Sequence, residues 1–77
     1  MRKTEIITAL DVQNGDLIRV EGYRVLVSDC EKFPASGRAE YRCHSEPLEG
    51  EPRLPPTYEG MHSGGNSGHR LHREISE

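Results

Sequence analysis

The sequence has no tryptophan, one phenylalanine, and only two cysteines and two methionines in 77 residues. Apolar residues make up 32% of the chain and charged residues 30%, so a chain of this size can form only a thin core of marginal stability. No apolar run approaches the roughly 20 residues that cross a bilayer, and no signal-peptide stretch follows residues 1–5. We therefore expect one domain over residues 1–77, located in the cytoplasm.

The chain also lacks an excess of positive charge, since its formal net charge is −3 and its pI is about 5.8. Without that excess, the counterion release that drives non-specific nucleic-acid binding is weak, although a local basic patch stays possible. Eight of the ten basic residues are arginine. This bias fits either a GC-rich genome or a use of bidentate anion contacts.

The clearest element is a β-hairpin. Residues 17–20 and 23–27 are runs rich in β-branched side chains, and Glu21-Gly22 between them is typical of a two-residue turn. The Asn14-Gly15 dipeptide just before the hairpin predicts a further tight turn, because these residues adopt positive φ at low cost.

The turn position sets which side chains face each other across the hairpin. It pairs Ile18 with Val25 on the side that we expect to face the core, together with Val20 and Tyr23. On the other side it sets Arg19 opposite Arg24, and like charges in this position are unfavourable. We therefore expect an acidic neighbour from the same chain, or an anionic partner, close to these arginines.

The remaining elements follow from weaker patterns. Residues 38–44 alternate apolar and polar side chains and predict a half-buried third strand, whereas residues 45–57 hold four prolines and predict an irregular loop. Residues 63–68 are rich in glycine and predict a flexible loop. We also expect an extended stretch at 5–10, a loop at 33–37, a short strand at 57–61, and a strand rather than a helix at 69–75.

Residues 14–25 resemble the opening hairpin of small SH3-like barrels, in which a Gly-Asp dipeptide begins a strand and a second glycine turns it back. The resemblance implies an all-β, partly open barrel of about five strands with long loops. Short, arginine-rich barrels of this kind also look like uncharacterised accessory proteins of actinobacteria and their bacteriophages. The fold class hosts many functions, so the resemblance implies shape more than activity.

A metal site is the first chemical hypothesis, because two cysteines and four histidines supply suitable ligands. They are Cys30, Cys43, His44, His62, His69 and His72. No Cys-x-x-Cys spacing is present, and on a strand His69 and His72 would point to opposite faces. We therefore predict no metal and no cofactor.

Two further hypotheses concern the cysteines and the glycine-rich segment. A reversal at Ser36-Gly37 would bring Cys30 opposite Cys43, where they could either pair or stay reduced. Residues 63–70 could hold a phosphate on backbone amides and the Arg70 side chain, but they lack the Gly-Lys-Ser/Thr ending of a P-loop. A mobile hairpin loop is the preferred interpretation of that segment.

Catalysis has the least support. A cysteine with His44 could form a thiolate pair, but Cys43 and His44 are adjacent and point to opposite faces of a strand. A barrel of this size also has little room for an enclosed pocket. We therefore predict no catalytic residues and no enzymatic activity.

The favoured function is a small binding module that contacts a protein partner or a second copy of itself. Loops on rigid scaffolds often carry function, so the proline-rich loop is the expected contact segment, through Leu48, Leu54 and Tyr58. The alternative is a nucleic-acid-binding barrel that uses an arginine face. Its candidate residues are Arg19, Arg24, Arg42, Arg70 and Arg73.

Overall fold

The computed structural model describes residues 3–66 and 68–75, which form one antiparallel sheet of six strands. Two short 3₁₀ turns, Ala9–Asp11 and Pro34–Ser36, lie between strands. The order across the sheet is β1-β6-β2-β3-β4-β5. The strands are β1 Thr4–Ile7, β2 Leu17–Val20, β3 Tyr23–Phe33, β4 Arg38–Ser45, β5 His62–Asn66 and β6 Leu71–Glu74.

The β2–β3 hairpin has the predicted register, with Val20 opposite Tyr23 and Arg19 opposite Arg24. Its turn residues Glu21 and Gly22 have φ of 51° and 86°, as a two-residue turn with positive φ at both positions requires. The predicted turn at Asn14-Gly15 is also present. These local signals were therefore sufficient to place the centre of the sheet.

Strand β3 is long and irregular. Its pairing with β4 shifts between Ser28 and Glu31, where Asp29 has a φ of 50°, and such a bulge bends a strand and increases its twist. The Asn14 side chain accepts a hydrogen bond from the Cys30 backbone N–H at 2.8 Å. The fold is all-β, and its single sheet is not closed, because β1 and β5 are the two edges. It is therefore consistent with a small, partly open barrel.

The core lies on one side of the sheet, which we call the inner face and which carries Ile18, Val25 and Tyr41. The turn Ala9–Asp11 packs against β4 and β5, and Ala9 and Val12 are fully buried. The opposite side, which we call the outer face, carries Arg19, Arg24 and Arg42. The buried hydrophobic residues are Ile7, Ala9, Val12, Ile18, Val25, Val27, Ala39, Tyr41 and Cys43.

Two predictions along the second half of the chain are wrong. The short strand expected at 57–61 is a turn region, and the strand begins only at His62. The glycine-rich segment, expected as a loop over 63–68, supplies most of β5; Ser67 lies outside the described residues. A Cβ at Gly64 would approach the Ala39 carbonyl oxygen to 3.2 Å, so glycine allows β5 to lie close against β4.

Other expectations are met more closely. The third strand, β4, shows the predicted alternation of buried and exposed residues, and the C-terminal segment contains strand β6. The extended stretch expected at 5–10 ends at Ile7 and gives way to the 3₁₀ turn. Within residues 3–66 and 68–75, no helix is long and apolar enough to cross a membrane.

Candidate partner-binding groove

An apolar groove opens at the end of the inner face, between the tip of the β2–β3 hairpin and the proline-rich loop. Its volume is about 350 Å³. The groove continues the core, because Val25 and Cys43 in its floor are themselves buried core residues. The lining residues are Val20, Glu21, Tyr23, Val25, Cys43, Leu54, Pro55 and Tyr58.

The loop wall of the groove is fixed to the end of β4. The Leu54 backbone N–H donates to the Ser45 hydroxyl at 2.7 Å, and the Glu59 carboxylate accepts from the Ser45 backbone N–H at 3.0 Å. The Gly60 N–H donates to the Cys43 carbonyl at 2.9 Å. The loop therefore has a defined course over the mouth of the barrel although it has no regular secondary structure.

Two of the three residues predicted for partner binding meet in this groove. Leu54 is half-buried and packs against the core, whereas Tyr58 is 59% exposed. Leu48 does not line the groove; its backbone N–H donates to the Glu51 side chain at 2.9 Å. The structure therefore brings Leu54 and Tyr58 together and places Leu48 elsewhere, and the role of these residues in partner binding stays a prediction.

Sequence reasoning missed the strand side of the groove. Val20 and Tyr23 were assigned to the core side of the hairpin, although both lie at the hairpin tip, where the next strand β4 ends at Ser45 opposite Val25. An apolar pair that extends beyond its neighbouring strand is the signal that could have revealed an open site. The loop contacts across the mouth are long-range and have no local signature.

The two opposed arginines have acidic neighbours from the same chain, as predicted. Arg24 forms an ion pair with Glu74, and its Nη1 also donates to the Glu46 carbonyl at 2.6 Å. Arg19 forms an ion pair with Glu51 at 2.5 Å. The hydrogen bond with Glu74 raises the pKa of Arg24, and that from Arg19 lowers the pKa of Glu51.

The five candidate nucleic-acid contacts do not form one basic face. Arg42 shares the outer face with Arg19 and Arg24 through the strand register, but it pairs with Asp29 at 3.4 Å. Arg73 lies opposite Ile18, and therefore on the inner-face side, where it pairs with Glu5 and with Asp16. Arg70 is exposed just before β6.

The register does not set the two cysteines opposite each other, since Cys43 faces Val27. The Cys30 thiol donates to the Val12 carbonyl at 3.4 Å, and burial raises the pKa of this thiol. Among the described residues, no three or more His, Cys, Asp or Glu side chains are grouped to hold a metal ion.

The glycine-rich segment borders a second, shallower hollow of about 350 Å³. Arg38 and His69 lie on its rim, but Arg38 pairs with Glu40 at 2.8 Å, and His69 Nδ1 accepts from the Asn66 backbone N–H at 3.4 Å. Arg70, which the phosphate hypothesis used, is not part of the lining. The phosphate hypothesis stays a prediction.

Comparison with protein-family models, curated proteins and solved structures found no match for this chain. The class of protein therefore follows from the structure alone: a small all-β domain with a barrel-like, open sheet. Such folds carry many functions, so function has to be argued from the groove and its surroundings.

Proposed function

We propose that this protein is a small binding module that recognises a protein partner through the groove at the barrel mouth. The observation that carries the proposal is the exposure of Tyr58 beside an apolar lining that is continuous with the core. Tyrosine is enriched at protein interfaces because it combines a large apolar area with a polar end. A partner side chain seated between Tyr23 and Tyr58 would bury both rings.

The charges near the groove favour a protein over a nucleic acid. Glu21 lies in the groove lining, and the outer-face arginines are engaged by carboxylates of the same chain. A phosphate backbone would have to compete with these intramolecular ion pairs. The nucleic-acid alternative stays a prediction, and a salt series tests it, since such binding weakens steeply with salt.

The proposal includes three further expectations from the sequence. The module acts in the cytoplasm, it belongs to the SH3-like barrels of the accessory type, and its partner is either another protein or a second copy of the chain. Open sheet edges support self-association, because β1 and β5 each have one side that no described strand covers, and uncovered edges readily pair with other chains.

The proposal is tested by photocrosslinking in cells of the organism that carries the gene. Benzoylphenylalanine replaces Tyr58 in one variant and Phe33 in a matched control. Phe33 is also an exposed aromatic residue but lies at the far end of β3. We expect a discrete crosslinked protein from position 58 and none from position 33.

The mass of the product identifies the partner class. A product of twice the chain mass supports self-association, and a larger discrete product supports a different protein. Absence of any product from position 58, or the same products from positions 58 and 33, would overturn the proposal. Binding to DNA or RNA that falls steeply with salt, without a protein crosslink, would favour the alternative.

A further inference from the structure

A hydrogen-bonded serine and histidine lie on the outer face, away from the groove. The Ser28 hydroxyl and His44 Nε2 are 2.8 Å apart, within the normal range for a hydrogen bond. Ser28 is on β3 and His44 is on β4, directly opposite Leu26. The pair therefore forms across two strands, between residues that are 16 positions apart in the sequence.

A carboxylate lies on the other side of the imidazole. Glu59 Oε1 is 3.6 Å from His44 Nδ1, which is an ion-pair distance rather than a hydrogen bond. The Glu59 carboxylate is itself held by the Ser45 backbone N–H. A Cβ at Gly60 would lie 3.6 Å from His44 Cε1, so the loop backbone packs against the ring. The imidazole is thus positioned by the loop that also forms the groove wall.

The surroundings of Ser28 suit a nucleophile. The β-bulge begins directly after it, with Asp29 at a φ of 50°, and strained backbone of this kind is concentrated at functional sites. Arg42 is the register partner of Ser28, and its guanidinium donates to the Gly60 carbonyl at 2.8 Å and pairs with Asp29 at 3.4 Å. Ser28 and His44 are both partly exposed, so a small reagent can reach them.

We propose that Ser28 is a nucleophile toward small, unhindered carboxylic esters, with His44 as its general base and Glu59 as a positioning residue. The serine and the base are hydrogen-bonded as in a catalytic triad, and the carboxylate lies 3.6 Å from the other imidazole nitrogen; such a site is recognised by geometry rather than by fold. Catalytic hydrogen bonds are often long in the absence of substrate. This activity is independent of the groove and goes beyond the binding function.

The proposed reaction is ester hydrolysis in two steps. The Ser28 hydroxyl attacks the ester carbonyl, its proton passes to His44 Nε2, the bond from the carbonyl carbon to the alcohol oxygen breaks, and the alcohol leaves with that proton. Water, deprotonated by His44, then attacks the acyl-serine. The bond between the acyl carbon and Oγ breaks, the acid leaves, and His44 returns a proton to Ser28.

The test uses a fluorophosphonate probe on the full chain, followed by peptide mapping. The Ser28 oxygen should form a bond to phosphorus while fluoride leaves and His44 takes the proton. We expect label on Ser28 of the wild-type protein. Ser28→Ala should abolish labelling at this position, because the attacking oxygen is removed. His44→Ala should lower labelling about 100-fold, in keeping with the usual contribution of a general base, whereas Ser36→Ala and His72→Ala should leave it unchanged.

Glu59 needs a readout that a purely structural role would not change. Glu59→Gln should lower the maximal rate of labelling and leave the probe concentration for half-maximal rate unchanged, because only the orientation of the His44 ring is affected, and Glu59→Asp should restore part of the rate. Hydrolysis of p-nitrophenyl acetate should follow the same order of variants. Label spread over several serines of the wild-type protein would overturn the proposal, and this result does not depend on whether any variant folds. Equal labelling of the wild-type protein and His44→Ala would also overturn it.

Discussion

The inner face of the sheet has two regions that share the same strands but differ in how they are covered. At its centre, Ile18 and Val25 are 0% and 1% exposed and are therefore fully covered. At the barrel mouth, the adjacent residues Val20 and Tyr23 are only partly buried and line an open groove. The apolar face is therefore divided into a covered half around Ile18 and Val25 and an open half around Val20 and Tyr23.

This difference separates residues that stabilise the fold from residues that remain available. The covered half removes apolar side chains from water and supplies most of the stability of a thin core. The open half leaves Tyr58 in solvent beside an apolar lining, which brings little stability and leaves area for a partner to bury. Substitutions in the two halves should therefore differ in their effect on the free energy of unfolding.

The largest expected effect is at the centre of the covered half. Ile18→Ala should lower the free energy of unfolding by about 3 kcal/mol, because it leaves a cavity in a packed core. Urea unfolding measures the change. Ile6→Ala is the matched control, since Ile6 is 61% exposed, and its effect should stay within about 0.5 kcal/mol. Similar losses at both positions would contradict the assignment of Ile18 to a packed core.

The next effect concerns the outer face, which has a buried ion pair instead of an apolar core. The Arg24 and Glu74 side chains are 9% and 8% exposed, but they lie close to the surface of a small domain. Arg24→Met should cost about 2 kcal/mol because it removes both the ion pair with Glu74 and the hydrogen bond to the Glu46 carbonyl. The double variant Arg24→Met/Glu74→Leu should recover much of this loss. No recovery in urea unfolding would mean that Arg24 acts mainly through the Glu46 carbonyl.

A pH effect should follow from Tyr41 in the covered half. Burial raises the pKa of Tyr41 to about 12 from a usual value of 10, so the unfolded chain loses this proton first as pH rises. Stability should therefore be complete below pH 10 and fall by on the order of 1–2 kcal/mol as pH approaches 12. Tyr41→Phe should remove this fall, whereas Tyr58→Phe should not; equal pH profiles for both variants would contradict the assignment.

The smallest effect concerns the start of the loop that forms the groove wall. The hydrogen bond from Arg19 holds the pKa of Glu51 below its usual value. The stability that this contact contributes is therefore present above the ordinary carboxylate range and is lost as pH falls through the lowered pKa. Glu51→Gln should flatten the acid side of the stability profile slightly, as unfolding midpoints measured across pH would show. An unchanged profile would indicate that the contact contributes nothing in solution.

The parts of the fold that depend on local chemistry could be predicted from the sequence. Glu21-Gly22 sets the hairpin and its register because few residue pairs adopt two successive positive φ values. Strand β5 could not be predicted, because Gly64 and Gly65 have low strand propensity and are extended only through pairing with β4. Tertiary contacts outweigh intrinsic preference at that position.

The candidate sites show the same limit. Leu54 and Tyr58 were proposed because loops on rigid scaffolds often carry function, but their meeting with Val20 and Tyr23 depends on loop contacts with Ser45. The pairing of Ser28 with His44 depends on the register next to a bulge. Neither arrangement leaves a pattern at fixed spacing in the sequence.

The central claim is that the open half of the inner face serves binding rather than folding. Its most direct test is the crosslinking yield from benzoylphenylalanine at position 55, an exposed position in the groove lining, in the Tyr58→Ser background and in a Phe33→Ser control. We predict that Tyr58→Ser lowers the yield at least tenfold, as loss of an aromatic anchor does at interfaces, while Phe33→Ser leaves it unchanged. An unchanged yield in Tyr58→Ser would contradict the account.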